Sequence, residues 1–485
     1  MWSKESLFIG GKWVAPATSR VIDVASPSTE EVVGRVPEAS AADVDRAVLA
    51  ARAAFDTGPW PRMTPAERAD VLVRVADGLA ARADELTQLI TSSSGLPITV
   101  TQLAHVMMPQ FYVRHYADLA RTTPLEEYRA GLTGKLHIRQ APVGVVGAII
   151  PWNIPLLATA AKLGAAWAAG CTAVLKPSPE TPLDAFVLAE ICEAAGMPPG
   201  VLNLVPGGAE AGTALVAHPG VDKITFTGST TTGRAIAEAC GRTLTGYALE
   251  LGGNAAAIVL DDAPIGDVAA GLVQSALAAN NGQACIAQSR VLVPRSRAAE
   301  LTDALAAAAR EIRVGDPFDP ATMVGPLITS RHRERVSDMV AAGRAEGATV
   351  CAGGGVPAGL ERGWYFEPTV LAGVDNGMRV AREEIFGPVV TVIEVRDEDE
   401  AVAIANDTEY GLSGSVWSAD LERAAAVGRR IAAGQIWLND SFTLDPACPF
   451  GGWKNSGNGR EGGPECLHEY LQTQTTFRPA ERPQS

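Results

Sequence analysis

The sequence predicts an α/β protein of two domains, each built on a mainly parallel sheet, with a small antiparallel segment beside them. Three observations carry this. A chain of 485 residues is too long for a single core of ordinary size. Between Pro142 and Leu260 short β-rich runs alternate with helical patterns, and the alternation begins again from Ile265. Strand and helix alternating at this spacing mean βαβ units and a parallel sheet covered on both faces. Third, two stretches, TGKLHIRQAPV and the tail LQTQTTFRP, alternate polar and apolar residues with no crossover helix beside them, which fits antiparallel strands.

The elements follow in order. VGVVGAII reads as a strand, PLLATAAKLGAAWAAG as a helix and CTAVLKPS as a strand. A further helix is expected after Thr181, which can cap it, with Pro182 in the first turn and Asp184 completing a box with Thr181. VLNLVPG and DKITFTGS are strands, each followed by a helix-compatible stretch, and Glu250 ends a strand in YALELGG. IGDVAAGLVQSALAANNGQA reads as a helix that breaks at Asn281 and Gly282. In the second half RVLVP, PVVTVIEV, SGSVWS and GQIWLN are strands between Ala-rich helices such as AAELTDALAAAAREI.

Composition narrows the class. At 47% hydrophobic and 20% charged residues the usage is that of an ordinary globular protein. The net charge of -15, with no Lys/Arg run, argues against a nucleic-acid partner. The longest apolar stretch, APVGVVGAIIPWNIPLLATAAKLGAAWAAGCTAVL, is broken by Asn153 and Lys162 and punctuated by Pro and Gly, so it reads as buried core and no membrane partner is expected. Seven cysteines lack any CxxC pair or Cys/His cluster, which argues against a disulfide framework or a metal site. Free thiols and an N-terminus without an export signal fit a cytoplasmic location.

Three residues are candidates for chemistry. Cys285 lies in NNGQACIAQSR, beyond the helix break, where Gly282, Ala284 and Ala287 would let a ligand approach the sulfur. Glu250 sits in an apolar run, where an ionised carboxylate is costly, so its pKa should rise toward the range of a general base. Asn153, between the prolines of PWNIP, could donate to an oxyanion. Each has a plain structural reading too: a small buried thiol, a solvated or paired strand-end glutamate, an asparagine placed for its turn.

Taken together, PWNIP, KPSPETP, FTGST, ELGG, GQACIAQSR, EEIFGP and PFGGWKNSGNGRE, in this order over nearly the whole chain, resemble the NAD(P)-dependent aldehyde dehydrogenase superfamily. The resemblance implies two Rossmann-like domains. Residues 1–124 and 144–254 would form a cofactor-binding domain, 255–450 a catalytic domain, and 125–143 with 451–485 an oligomerisation segment giving a homodimer or homotetramer. It makes Cys285 the nucleophile that adds to an aldehyde, Asn153 the donor to the resulting oxyanion, and Glu250 the base that activates water on the thioester. It assigns Gly228 and Ser229 to a pyrophosphate, Lys176 and Ser178 to the adenosine end, and Glu384 to the nicotinamide ribose, with Phe386 and Trp152 flanking the ring. NAD is the expected cofactor. NADP use is also expected, because relatives that prefer NAD often carry a glutamate where this chain has Pro179, with Glu180 one place later.

The expected substrate lining is Ile154, Ala161, Ala284, Ile286, Leu444 and Phe450, largely aliphatic and without an arginine. That favours medium-chain, aromatic or terpenoid aldehydes over betaine aldehyde or short semialdehydes. Two other functions compete: a cysteine esterase or acyl hydrolase working without redox chemistry, and a structural protein that kept the fold. The joint presence of Cys285, Glu250, Asn153, Lys176 and Glu384 counts against the structural protein.

Overall fold

The structure is a computed structural model that describes residues 1–132, 134–440 and 442–479. Residues 133 and 480–485, within the two segments expected to mediate assembly, lie outside the described residues.

The first large sheet has seven strands in the order Gly246–Glu250, Lys223–Thr227, Val145–Ile149, Thr172–Lys176, Leu202–Leu204, Leu7–Ile9 and Lys12–Val14. The first five run parallel, and the last two, from the N-terminus, join antiparallel. The five parallel strands are those the alternation predicts. The second large sheet runs Thr349–Ala352, Thr369–Ala372, Val389–Val395, Arg290–Pro294, Ala256–Val259, Ser413–Trp417 and Gln435–Leu438. All its pairings are parallel except the first.

Chain order matters here. From Val145–Ile149 the chain winds outward through Thr172–Lys176 and Leu202–Leu204, then returns to place Lys223–Thr227 on the other side of the first strand. The carboxyl ends of these two neighbouring central strands form the switch point at which open parallel sheets leave a crevice. Both PWNIP and FTGST leave the sheet there.

The helix Pro155–Ala169 shows how sequence sets packing. Every residue in it is buried, so it is apolar all round and lies inside the first domain's core with Trp167, Tyr116 and Phe186. It stops at Gly170, whose φ of 100° lies in the left-handed region a C-terminal cap requires.

One expected detail is corrected. The helix after KPSPETP spans Leu183–Ala194, with Pro182 in the capping place and no side-chain cap. The Thr181 hydroxyl instead donates to the Trp152 carbonyl at 3.1 Å. Asp184 is buried and held by first-turn backbone N–H groups; burial pushes its carboxyl up to about 7. The tertiary contact to Trp152 outcompeted the local cap.

The two stray segments do pair. Leu471–Pro479 lies antiparallel to Gly134–Pro142, which pairs with Glu126–Gly131 in a three-stranded sheet. This sheet leaves Tyr128 59% and Phe477 75% exposed. Of the residues from 451 on, those before the last strand do something else: the helix Gly463–Glu469 packs on Pro155–Ala169 and puts Cys466 and Leu467 into the first core. A separate three-stranded sheet, Trp2–Ser3, Val32–Pro37 and Val21–Ala25, has no counterpart in the sequence analysis. Among the described residues no helix is long and apolar enough to cross a membrane, and no cluster of three or more His, Cys, Asp or Glu could hold a metal.

Candidate active site

A cavity of about 800 Å³ opens at the switch point and reaches Cys285. Trp152, Asn153, Ile154, Lys176, Ser178, Gly228, Ser229, Cys285, Glu384 and Phe386 all line it. These ten residues come from five separate motifs, and the topology brings them to one wall.

Local chemistry explains how the nucleophile candidate is presented. The helix from Ile265 loosens into a π-helical turn, Val273–Ala278, and then a 3₁₀ turn, Ala279–Gly282. Asn280, Asn281 and Gly282 have φ of 49°, 57° and 70°, three successive left-handed residues of the types that tolerate that region best. The Asn281 amide holds the turn, donating to Gly95 and Pro326 carbonyls at 3.1 and 2.9 Å and accepting from Gly325 N–H at 2.8 Å. The sharp reversal presents Cys285, half-buried, at the cavity. Opposite, a Cβ at Gly253 would run into the Cys285 carbonyl, so this glycine is needed for the two segments to meet.

Asn153 is tied to the same turn. Its Nδ2 donates to the Gln283 carbonyl at 2.9 Å, and its own carbonyl accepts from Asn280 Nδ2 at 3.0 Å. Asn280 Oδ1 faces His105 Nε2 at 2.9 Å. Since the Asn280 amide nitrogen is used on Asn153, the oxygen accepts, and His105 carries its proton on Nε2. Burial lowers the His105 pKa to about 4, so this link is neutral. His105 was missed by sequence reasoning; a lone histidine among apolar neighbours gives no signal.

The electrostatics are unfavourable to a resting thiolate. Burial pushes the Cys285 thiol up, and the charges of Glu384, Glu250 and Glu461 push it further. Glu250 is itself buried, with no hydrogen-bond partner for either carboxylate oxygen among the described residues, and lies beside Gly459, off the cavity wall. Burial first, then the negative Glu461, raise its pKa well above the carboxylate range; Lys162 and Arg460 act the other way. Lys162, the one charged residue of the helix Pro155–Ala169, makes a 2.5 Å ion pair with Glu461. Glu461 was also missed. Lys162 in an apolar run was visible, but its partner is 299 residues away.

The far part of the cavity carries polar groups of a different kind. Ser229 caps the helix Thr230–Thr243, accepting from Thr232 N–H at 3.3 Å, so the positive end of a four-turn helix faces the cavity beside Gly228. Lys176 Nζ donates to the Pro177 and Gly207 carbonyls at 3.0 and 2.7 Å, and burial lowers its pKa to about 8. Glu384 Oε1 accepts from Gly253 N–H at 3.0 Å, and burial raises its carboxyl to about 7. Trp152 and Phe386 meet edge to face at 5.4 Å, and His332, whose Nε2 lies 2.6 Å from the Phe386 carbonyl, completes an aromatic trio.

The expected substrate lining is split. Ala284 and Ile286 cluster with Leu412 and Trp437, and Cys285, Phe442, Leu444 and Phe450 pack against them. Ile154 lines the cavity and packs against the first domain's core, whereas Ala161, 2% exposed, lies within that core; Ala161 is off the cavity wall, as are Ala284, Ile286, Leu444 and Phe450, which meet the cavity only through their cluster with Cys285. The helix Pro155–Ala169 is buried on every side, so a small residue on it packs against neighbouring helices. The apolar surface around Cys285 is also more aromatic than expected, with Trp437 and Phe442 joining Phe450.

The sequence profile of the aldehyde dehydrogenase family matches residues 13–476. The chain belongs to the aldehyde dehydrogenase family. Among its relatives, the geranial dehydrogenase of Castellaniella defragrans is 45% identical over 474 residues, covering 98% of each chain. Of solved structures, an aldehyde dehydrogenase of Mycobacterium tuberculosis complexed with NAD+ superposes with a TM-score of 0.97 at 45% identity, covering 99% of each chain. A cysteine-to-alanine mutant of aldehyde dehydrogenase C from Pseudomonas syringae, complexed with NAD+ and octanal, gives 0.95 at 44% identity, covering 99% of this chain and 98% of that one. The two-domain α/β fold read from the alternation is that of the aldehyde dehydrogenases.

Proposed function

We propose that this aldehyde dehydrogenase family member oxidises hydrophobic aldehydes to carboxylic acids with NAD through Cys285. The observation that carries the reading is the single cavity that runs from the Ser229 helix N-terminus and Lys176 to the Cys285 sulfur. Its residues fit a dinucleotide: backbone N–H groups for a pyrophosphate, and Lys176, Ser178 and Glu384 for hydroxyls. Bound NAD supplies the acceptor for the hydride that leaves the substrate carbon.

The chain's own residues do the rest. The Cys285 thiol gives its proton to water as the sulfur bonds to the aldehyde carbon, and the carbonyl electron pair moves onto oxygen. Asn153 Nδ2 and the Cys285 N–H donate to that oxygen, and charge there is what makes hydride departure possible. The remaining thioester is attacked by water whose proton goes to Glu250. The carbon–sulfur bond then breaks and the thiol is restored. Glu250 has the raised pKa of a base, and the Lys162 to Glu461 pair fixes the charge beside it.

The aldehyde would lie against Ala284, Ile286, Leu444, Phe450, Phe442 and Trp437, which offer apolar and aromatic surface. Each buried CH₂ adds roughly 0.8 kcal/mol. We expect kcat/KM to rise from acetaldehyde to hexanal, octanal or benzaldehyde. Phe450→Ala should remove about tenfold of that gain, since its side chain packs in this cluster while its backbone is held by Glu461. Best activity on acetaldehyde, succinic semialdehyde or betaine aldehyde in steady-state assays would refute the substrate class.

The exposed three-stranded sheet suits assembly into a dimer or tetramer, because an open antiparallel face with Tyr128 and Phe477 outward is normally covered. Deleting the residues after Tyr470 removes its Leu471–Pro479 strand, and sedimentation should then find monomer or aggregate. A truncated chain that still sediments as the parent oligomer would place the interface elsewhere.

A further inference from the structure

Selection between the two nicotinamide dinucleotides turns on the group that faces the adenosine ribose. A carboxylate accepts from the 2′-hydroxyl and repels a 2′-phosphate, whereas a guanidinium does the reverse. This chain has Pro179 where a carboxylate is expected, and the structure shows what that proline does. Ser178 to Thr181 form a β-turn in which Thr181 N–H lies 3.3 Å from the Ser178 carbonyl. Pro179 occupies its second place, for which the fixed φ of proline is suited.

The turn is held at both ends. The Thr181 hydroxyl donates to Trp152, as described above, and the Ser178 hydroxyl donates to Glu180 Oε2. Glu180 is thereby folded back toward the start of the turn. Ser178, Pro179 and Glu180 all line the cavity next to Lys176, and Glu180 is close enough for its charge to favour the Lys176 ammonium. Two of the three ammonium N–H bonds are already spent on carbonyls. The one guanidinium among the described lining residues, Arg335, donates to the Glu384 carbonyl at the other end. The adenosine end thus offers one cation with a single N–H left to donate and one carboxylate, a poor receptor for a dianionic phosphate.

We propose that Glu180, turned back by Pro179 onto the Ser178 hydroxyl, selects NAD against NADP in this chain, doing from one place later the work of a ribose-facing carboxylate. The proposal rests on reading the cavity as a dinucleotide site. Isothermal titration of the full chain and of Glu180→Gln with NAD+ and with NADP+ tests it through binding alone. The parent should favour NAD+, and Glu180→Gln should shrink the ratio of dissociation constants by about tenfold or more, chiefly by tightening NADP+. Because the parent's penalty is like-charge repulsion, it should also fall with added salt, and in Glu180→Gln it should not. An unchanged ratio in Glu180→Gln, or a parent that binds both equally, overturns the role of Glu180 and leaves the dinucleotide site standing. A parent that binds neither overturns the site and the proposal together.

Discussion

Cys285→Ala is expected to lose aldehyde oxidation by at least about 10³-fold, because the covalent step has no other nucleophile at the cavity end. The other free cysteines are buried in cores or lie off the cavity wall, so none can substitute. The methyl of alanine fits where the thiol was, and Ala284 and Ala287 beside it are already small, so circular dichroism and thermal unfolding should match the parent. Dinucleotide binding should persist, since Cys285 is one of many lining groups. An esterase acting at the same thiol would fail with this variant too, but in the parent it would release acid from an ester while reducing no dinucleotide with an aldehyde. Measuring acid and reduced cofactor together separates the two. Residual oxidation at a tenth of the parent rate would remove Cys285 from the mechanism.

The second large effect concerns Glu250. Glu250→Gln keeps the shape of the side chain and cannot take a proton, so the expected result is one burst of reduced cofactor per active site followed by a stall at the thioester. The steady rate should fall by about 10²- to 10⁴-fold, the usual contribution of a positioned base. The pH dependence has a definite sign. Burial and the neighbouring Glu461 hold the Glu250 carboxyl well above the ordinary carboxylate range. A base must be unprotonated, so steady turnover of the parent should rise with pH through that raised value, and fall below it while the burst survives. Rapid-mixing absorbance at several pH values reads both quantities. A Glu250→Gln enzyme that turns over steadily near the parent rate would show that another group activates the water.

The legible part of the site was the part carried by contiguous residues. Asn281 and Gly282 announce a helix break, and the break is there, with Cys285 beyond it; that it takes the form of three successive left-handed residues, 280–282, emerged only from the structure. FTGST announces a strand followed by a helix, and in the structure Ser229 caps that helix by accepting a first-turn N–H. What misled was the assumption that local options are always taken. Thr181 had a cap available and spent its hydroxyl on Trp152. Ala161 looked like a gap in a tunnel, yet it lies on a helix buried on all sides.

By itself the sequence determined the α/β class, the parallel strands, the antiparallel tail and the motifs that bring Cys285, Glu250 and Asn153 to attention. All of these follow from periodicity and residue type within a dozen neighbours, where steric limits and hydrophobic burial act directly along the chain. The tertiary structure alone decided the charge state of the site. Lys162 meets Glu461 across 299 residues, Glu250 finds no hydrogen-bond partner among the described residues, and the Cys285 thiol is raised by burial first and then by three carboxylates from different segments. The cost of a charge depends on the dielectric and the opposite charges around it in space, and a buried pair fixes both only after the two domains' strands and the returning chain have closed over it.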